Sequence, residues 1–97
     1  MPESDEAYEL VVAGPAARAI AEVLPEAVAA AVIDLITGSL LLEPRRMGRP
    51  LRDELKGIWT ARRGTFRVLY RIDDRKREVV VLRVDHRRDA YRPGSHP

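Results

Sequence analysis

Cysteine is absent from this 97-residue chain, so disulfides, thiolate metal sites and a cysteine nucleophile are all excluded. Glycine is too sparsely placed for a phosphate cradle: Gly48, Gly57 and Gly64 match neither nucleotide-binding spacing. The two histidines, His86 and His96, have no partner at metal-ligand spacing, and His96 sits in a terminal Gly-Ser-His-Pro stretch. Neither a serine nucleophile elbow nor a well-placed carboxylate pair is present. No metal and no organic cofactor is expected. Long apolar runs are missing as well. The longest, residues 27–33, stops at Asp34, far short of the roughly 18 residues a membrane span needs. The start, Met1-Pro2-Glu3-Ser4-Asp5-Glu6, is acidic where a secretory signal is basic and then apolar. A soluble cytoplasmic protein without a membrane partner is expected.

Positive charge is nearly missing from the first half. Residues 1–44 carry one cation, Arg18, against eight acids, for a net charge of −7. Residues 45–97 carry sixteen cations against seven acids, for a net of +9, so the overall +2 hides a strongly basic half. Most of these cations are arginines, and many fall inside segments with the alternation of β-strands. The guanidinium stays charged at any working pH and its planar fork matches phosphate geometry. Nucleic acid is the first partner this implies.

The chain reads as one domain over residues 7–92, with a leader at 1–6 and a tail at 93–97. Residues 7–13 form a first strand ended by Gly14-Pro15. Ala17, Ile20, Ala21 and Leu24 then recur at helical spacing, and Pro25 either opens a second helix or kinks one long one. Val28, Val32 (or Ala31), Leu35 and Ile36 continue an apolar stripe up to a stop at Gly38. Residues 43–50 form a basic, exposed connection. Strands follow at 57–63, 65–72 and 78–85, the first two joined by a tight turn at Gly64. The expected architecture is α+β, in the order β-α-α-β-β-β, with a helical hairpin on one face of a mostly antiparallel four-stranded sheet.

Alternation places Phe66, Val68, Tyr70 and Ile72 on the core side, with Arg67, Leu69 and Arg71 on an open face. Carried into the last strand, it groups Val80, Leu82, Val84 and His86 against Val79, Val81, Arg83 and Asp85. Three constellations offer chemistry. One is Arg62, Arg63, Arg67 and Arg71 around the hairpin, whose plainer role is to keep an open sheet solvated. Another is His86-Arg87-Arg88 with Tyr91 at a strand end, where imidazole and phenol also serve as packing groups. The third, Arg45, Arg46, Arg49 and Arg52, reads as a solvated basic loop or as a source of phosphate contacts. Chemistry that needs cations more than carboxylates fits this set. RNA brings its own nucleophile, the 2′-hydroxyl, so a protein needs only to orient it, neutralise the phosphate and move two protons.

The spaced residues Gly48-x-Pro50-Leu51, Leu55-x-Gly57-x-Trp59-x-x-Arg62-Arg63-Gly64-x-Phe66-Arg67-Val68-x-Tyr70 and Val84-x-His86-Arg87-x-Asp89-x-Tyr91-Arg92 resemble the RelE toxins of bacterial toxin–antitoxin modules. The resemblance runs over roughly residues 8–92. It implies ribosome-dependent cleavage of messenger RNA, and neutralisation by a small, acidic, partly disordered antitoxin in a hetero-oligomer. By position it implies that Arg67 stabilises the phosphate, that Arg87 supports the transition state or leaving group, and that Tyr91 activates the 2′-hydroxyl or stacks on a base. His86 is an alternative proton carrier. Arg62, Arg63, Arg71, Arg88, Arg49, Arg52 and Lys56 are the expected RNA contacts. Well-studied members carry two lysines in the strand before Arg67, where this chain has Ile58 and Thr60, so Arg62, Arg63 or Lys56 must supply that charge. A free phenol titrates near about 10, and Arg87, Arg88 and Arg92 around Tyr91 would favour its anion. Two further readings stay open: a ParE-like toxin that acts on DNA gyrase by protein–protein binding, and a fold relative without activity.

Overall fold

Residues 7–86 are described by a computed structural model. In β1 (Glu9–Val12), alternation turns Leu10 and Val12 towards the core and leaves Glu9 and Val11 exposed. Pro15 lies in the first turn of α1 (Gly14–Arg18), where its missing N–H leaves no bond unmade. A π-helical turn, Ala19–Val23, extends this helix and is closed by the Leu24 N–H donating to the Ala19 carbonyl at 2.9 Å. Leu24 is extended, as a residue before proline prefers. Pro25 therefore opens a second helix, α2 (Glu26–Thr37), which buries Val32, Leu35 and Ile36.

The connection expected to be an exposed loop is partly structured. It holds two one-turn helices, α3 (Ser39–Leu42) and α4 (Pro44–Met47), then a two-residue strand, β2 (Arg49–Pro50). Pro44 is buried, and its carbonyl accepts a 2.6 Å hydrogen bond from the Tyr70 hydroxyl. Gly48 follows at a point where an added Cβ would collide with that hydroxyl and with the Thr60 carbonyl. Only glycine lets the segment close on the sheet there.

The remaining strands are β3 (Trp59–Arg63), β4 (Phe66–Asp73) and β5 (Glu78–His86). The sheet order is β1-β5-β4-β3-β2, with β1 parallel to β5 and the other pairs antiparallel. The expected four strands become five because Arg49 and Pro50 pair with Thr60 and Trp59. Only Gly64 and Thr65 separate the paired residues Arg63 and Phe66, and Gly64 has φ +57°, as the first residue of a type II′ turn requires.

The faces of β5 depart from simple alternation. Leu69 pairs with Arg83 and Tyr70 with Val81, which leaves Leu82 as an extra residue in a bulge. The bulge exchanges the faces on either side of it. Val79 and Val81 therefore join Val84 and His86 on the buried side, and Val80, Arg83 and Asp85 take the open one. The core lies between the helices and this side of the sheet, and includes the fully buried Ala16, Val32, Leu40, Val68, Tyr70, Val79 and Val81. Each fully buried large aliphatic side chain contributes roughly 1.5–3 kcal/mol. The opposite face of the sheet carries the charge.

Candidate active site

The site is built from two cross-strand rows on that open face. Arg62 of β3, Arg67 of β4 and Asp85 of β5 are direct register partners and form the first row. Arg49, Thr60, Leu69 and Arg83, from β2 to β5, form the second. The rows lie two residues apart along each strand, roughly 7 Å. Like charges set directly opposite one another destabilise a sheet, so the Arg62–Arg67 pairing stands against its own local cost. A partial offset comes from Asp85. Its Oδ1 accepts a hydrogen bond from the Arg83 Nε at 3.0 Å, and its Oδ2 lies 3.6 Å from the Arg67 Nε. The Asp85 side chain is 26 % exposed, against 50 % for Arg67 and 64 % for Arg83, so the carboxylate is the least exposed of the three charged groups. The surface left to solvent is cationic.

Arg71 shares this face two residues beyond Leu69, opposite Val80. Of the expected RNA contacts, Arg49, Arg62 and Arg71 thus stand on one surface with Arg67. Arg63 is exposed at the hairpin tip on the other parity, paired with Phe66. Arg52 and Lys56 are exposed on either side of the 3₁₀ turn Asp53–Leu55. Arg87, Arg88 and Tyr91 lie outside the described residues. His86 does not share the arginine face. It pairs with Phe66 on the buried side, is 7 % exposed, and its Nε2 is 3.1 Å from the Thr65 hydroxyl. Among the described residues no group of three or more His, Asp or Glu is placed to hold a metal ion.

Sequence reasoning did not single out Arg83 and Asp85. Their signal was the Arg-x-Asp spacing at the end of a strand that hairpins back on Arg67, and it becomes legible only once the register is known. The basic loop also divides in a way its composition does not show. Arg49 alone of its four arginines enters the rows. Arg46 pairs with Glu43 at 3.3 Å, and Arg45 forms a fork on Asp74 through Nη2 at 2.6 Å and Nη1 at 3.3 Å. The Tyr8 hydroxyl donates to the same carboxylate at 2.7 Å, and the Arg77 guanidinium lies 4.4 Å from the centre of the Tyr8 ring. Arg45 and Tyr8 together hold the Asp74 carboxyl below its ordinary range. This clip is at the far end of β4 from Arg67 and ties residue 8, α4 and the β4–β5 turn together.

The sequence matches the family described as ParE toxin of type II toxin-antitoxin system, parDE, over residues 12–91. Toxin RelG of Mycobacterium tuberculosis is 58% identical over 69 residues, which are 71% of this chain and 79% of that protein. Toxin RelE of the same organism is 41% identical over 88 residues, covering 91% of this chain and 90% of that protein. Among solved structures, the toxin–antitoxin complex RelBE2 from M. tuberculosis holds a chain similar to this one, with a TM-score of 0.80 and 49% identity over 84% of this chain and 99% of that one. A chain of the archaeal RelE–RelB complex from Pyrococcus horikoshii shares the fold, with a TM-score of 0.64 at 20% identity, covering 84% of this chain and 96% of that one.

Proposed function

The chain belongs to the RelE/ParE superfamily of type II toxin–antitoxin toxins, and from that premise we propose that it is a ribosome-dependent endoribonuclease that cleaves messenger RNA and so stops translation. The observation that carries this reading is the double row of arginines on a rigid sheet face, centred on Arg67. Cleavage proceeds by attack of the 2′-hydroxyl on the adjacent phosphorus. The bond to the 5′-oxygen breaks, leaving a 2′,3′-cyclic phosphate and a 5′-hydroxyl. One proton leaves the 2′-oxygen and one reaches the departing 5′-oxygen.

Arg67 neutralises the phosphate oxygens as charge builds on them, which strands do better than loops because the donor is fixed before the reaction begins. Arg49 and Arg62 carry the RNA backbone. Arg49 is the register partner of Thr60, and so supplies a cation where related toxins place a strand lysine. Arg87 stabilises the leaving group, and Tyr91 takes the 2′-proton. His86, buried on the other side of the sheet, is assigned to holding the strand end through Thr65 and not to proton transfer.

The antitoxin is a small acidic chain that covers the arginine rows, uses the neighbouring apolar groups Leu69, Val80 and Val11 as anchors, and forms a hetero-oligomer with the toxin. Charge complementarity supports this, as does the M. tuberculosis relative, whose structure is a toxin–antitoxin complex. Working on translating ribosomes places the protein in the cytoplasm.

Mapping of transcript 5′ ends in a translation reaction tests the reading. Wild type should cut ribosome-bound messages and spare the same RNA when it is not translated, and Arg67→Ala should lose about a hundredfold or more in rate. The matching family is described by the name ParE, which favours a second reading, a topoisomerase poison acting by protein–protein binding. Trapped gyrase–DNA cleavage complexes with intact messages would establish that one instead. Equal harmlessness of wild type and Arg67→Ala on induction would mark a fold relative without activity.

A further inference from the structure

We propose that Asp85 is a positioning residue: its carboxylate, shared between the Nε atoms of Arg67 and Arg83, fixes both guanidiniums so that their outer edges meet the RNA backbone as a preset pair. The inference rests on the ribonuclease reading for its consequence, but not for its geometry.

Asp85 is anchored from both sides. Val84 and His86 are each 7 % exposed, and both face the core, so the backbone carrying the carboxylate is locked into the sheet. Register places Asp85 directly opposite Arg67 and two residues from Arg83. Each carboxylate oxygen faces a different cation: Oδ1 accepts a hydrogen bond from Arg83 at 3.0 Å, and Oδ2 stands in a looser ion pair with Arg67 at 3.6 Å. In both contacts the nearest guanidinium atom is Nε. A guanidinium held by its Nε side retains its two terminal nitrogens for end-on, forked binding of a phosphate. Among the described residues neither Arg67 nor Arg83 has a second ion-pair partner. An arginine is a long side chain with many rotamers, and fixing it before the substrate arrives removes ordering that would otherwise fall in the transition state. The carboxylate is less exposed than either guanidinium it touches, which fits a support.

The two roles part in turnover. Asp85→Asn removes a negative charge from a face that binds a polyanion, so a charge-balancing Asp85 would give tighter RNA binding and unchanged turnover. A positioning Asp85 gives tighter or equal binding together with a fall in kcat of about tenfold to a hundredfold, the scale of a modest misplacement of a reacting group. Full-length wild type, Asp85→Asn, Asp85→Glu, Arg67→Ala and the double variant Arg67→Ala/Asp85→Asn are to be compared for kcat and KM on translated message. Asp85→Glu should recover part of the lost turnover. In the Arg67→Ala background, Asp85→Asn should change kcat less than twofold, because its effect on turnover runs through Arg67, the arginine at the reacting phosphate, while the release of Arg83 falls on KM. Wild-type turnover in Asp85→Asn, or full multiplicative losses in the double variant, would overturn the proposal. The Arg67 and Arg83 Nε–H signals in ¹⁵N NMR give a readout that needs no activity. Both should be motionally restrained in wild type and released in Asp85→Asn. If wild type cleaves nothing, the ribonuclease reading fails and these signals alone decide, and indistinguishable signals in the two proteins reject the positioning role.

Discussion

Tyr70 shows how one side chain joins the sheet to the segment that delivers the site. Its ring is fully buried and tilted against Trp59, with centroids 6.4 Å apart. Its hydroxyl reaches the Pro44 carbonyl, so the first turn of α4 is fixed to the sheet a few residues before Arg49 enters the arginine rows. Burial disfavours the phenolate and pushes the Tyr70 pKa from its ordinary 10 up to about 12. Between those values the unfolded chain gives up a proton that the folded chain keeps. The unfolded state is therefore favoured progressively as pH rises from 10 towards about 12, and below 10 this group adds no pH dependence. Tyr70→Phe should flatten that alkaline loss of stability in denaturant melts. At neutral pH it should cost about 1 kcal/mol, because the Pro44 carbonyl loses its donor. An alkaline limb equally steep in the variant would show that Tyr70 is not its source.

The clip of Tyr8, Arg45 and Asp74 acts between elements, holding the approach to β1, helix α4 and the β4–β5 turn at one end of the sheet. Asp74 is depressed chiefly by its hydrogen bond with Arg45 and then by that with Tyr8. A depressed carboxylate contributes stability above its ordinary pKa, and that contribution disappears as pH falls through the lower folded value. Asp74→Asn should thus melt below wild type at neutral pH, with the gap closing as pH falls below the ordinary 3.8. Salt should narrow the gap at neutral pH, since the pair is exposed and screened. A gap that persists unchanged at low pH would rule the clip out. Elements were legible in the sequence where local chemistry left one choice. Gly14-Pro15, Pro25 and Gly64 marked boundaries that the structure keeps, and alternation gave both faces of β4. It failed in β5 because Val79-Val80-Val81-Leu82 is apolar at every position. Such a run holds no phase, and so hides the bulge at Leu82 that puts Asp85 beside Arg67 and His86 behind it. Strand β2 was missed for a related reason: two residues of a Pro- and Arg-rich connection become a strand only because β3 offers them a partner.

Across the whole molecule, a division of charge along the sequence becomes a division between faces. The acidic first half supplies the helices, with Glu22, Glu26 and Asp34 on them, and these cover one side of the sheet. The basic second half supplies the strands whose other side holds Arg49, Arg62, Arg67, Arg71 and Arg83. Net charge alone would predict feeble attraction for RNA, whereas a polyanion approaching the open face meets a local excess of cations. Removing one phosphate-binding arginine should then lower the salt dependence of binding by about 0.7 in the slope of log K against log salt for a single strand. Arg62→Ala should show that decrement in anisotropy titrations of single-stranded RNA between about 50 and 200 mM salt. Arg45→Ala, equal in charge removed, should leave the slope unchanged, because its guanidinium is bound to Asp74 at the other end of β4. Net charge and position therefore make different forecasts for the same pair of variants. Equal decrements in the two would mean that RNA responds to total charge, and the arginine rows would lose their standing as the binding surface.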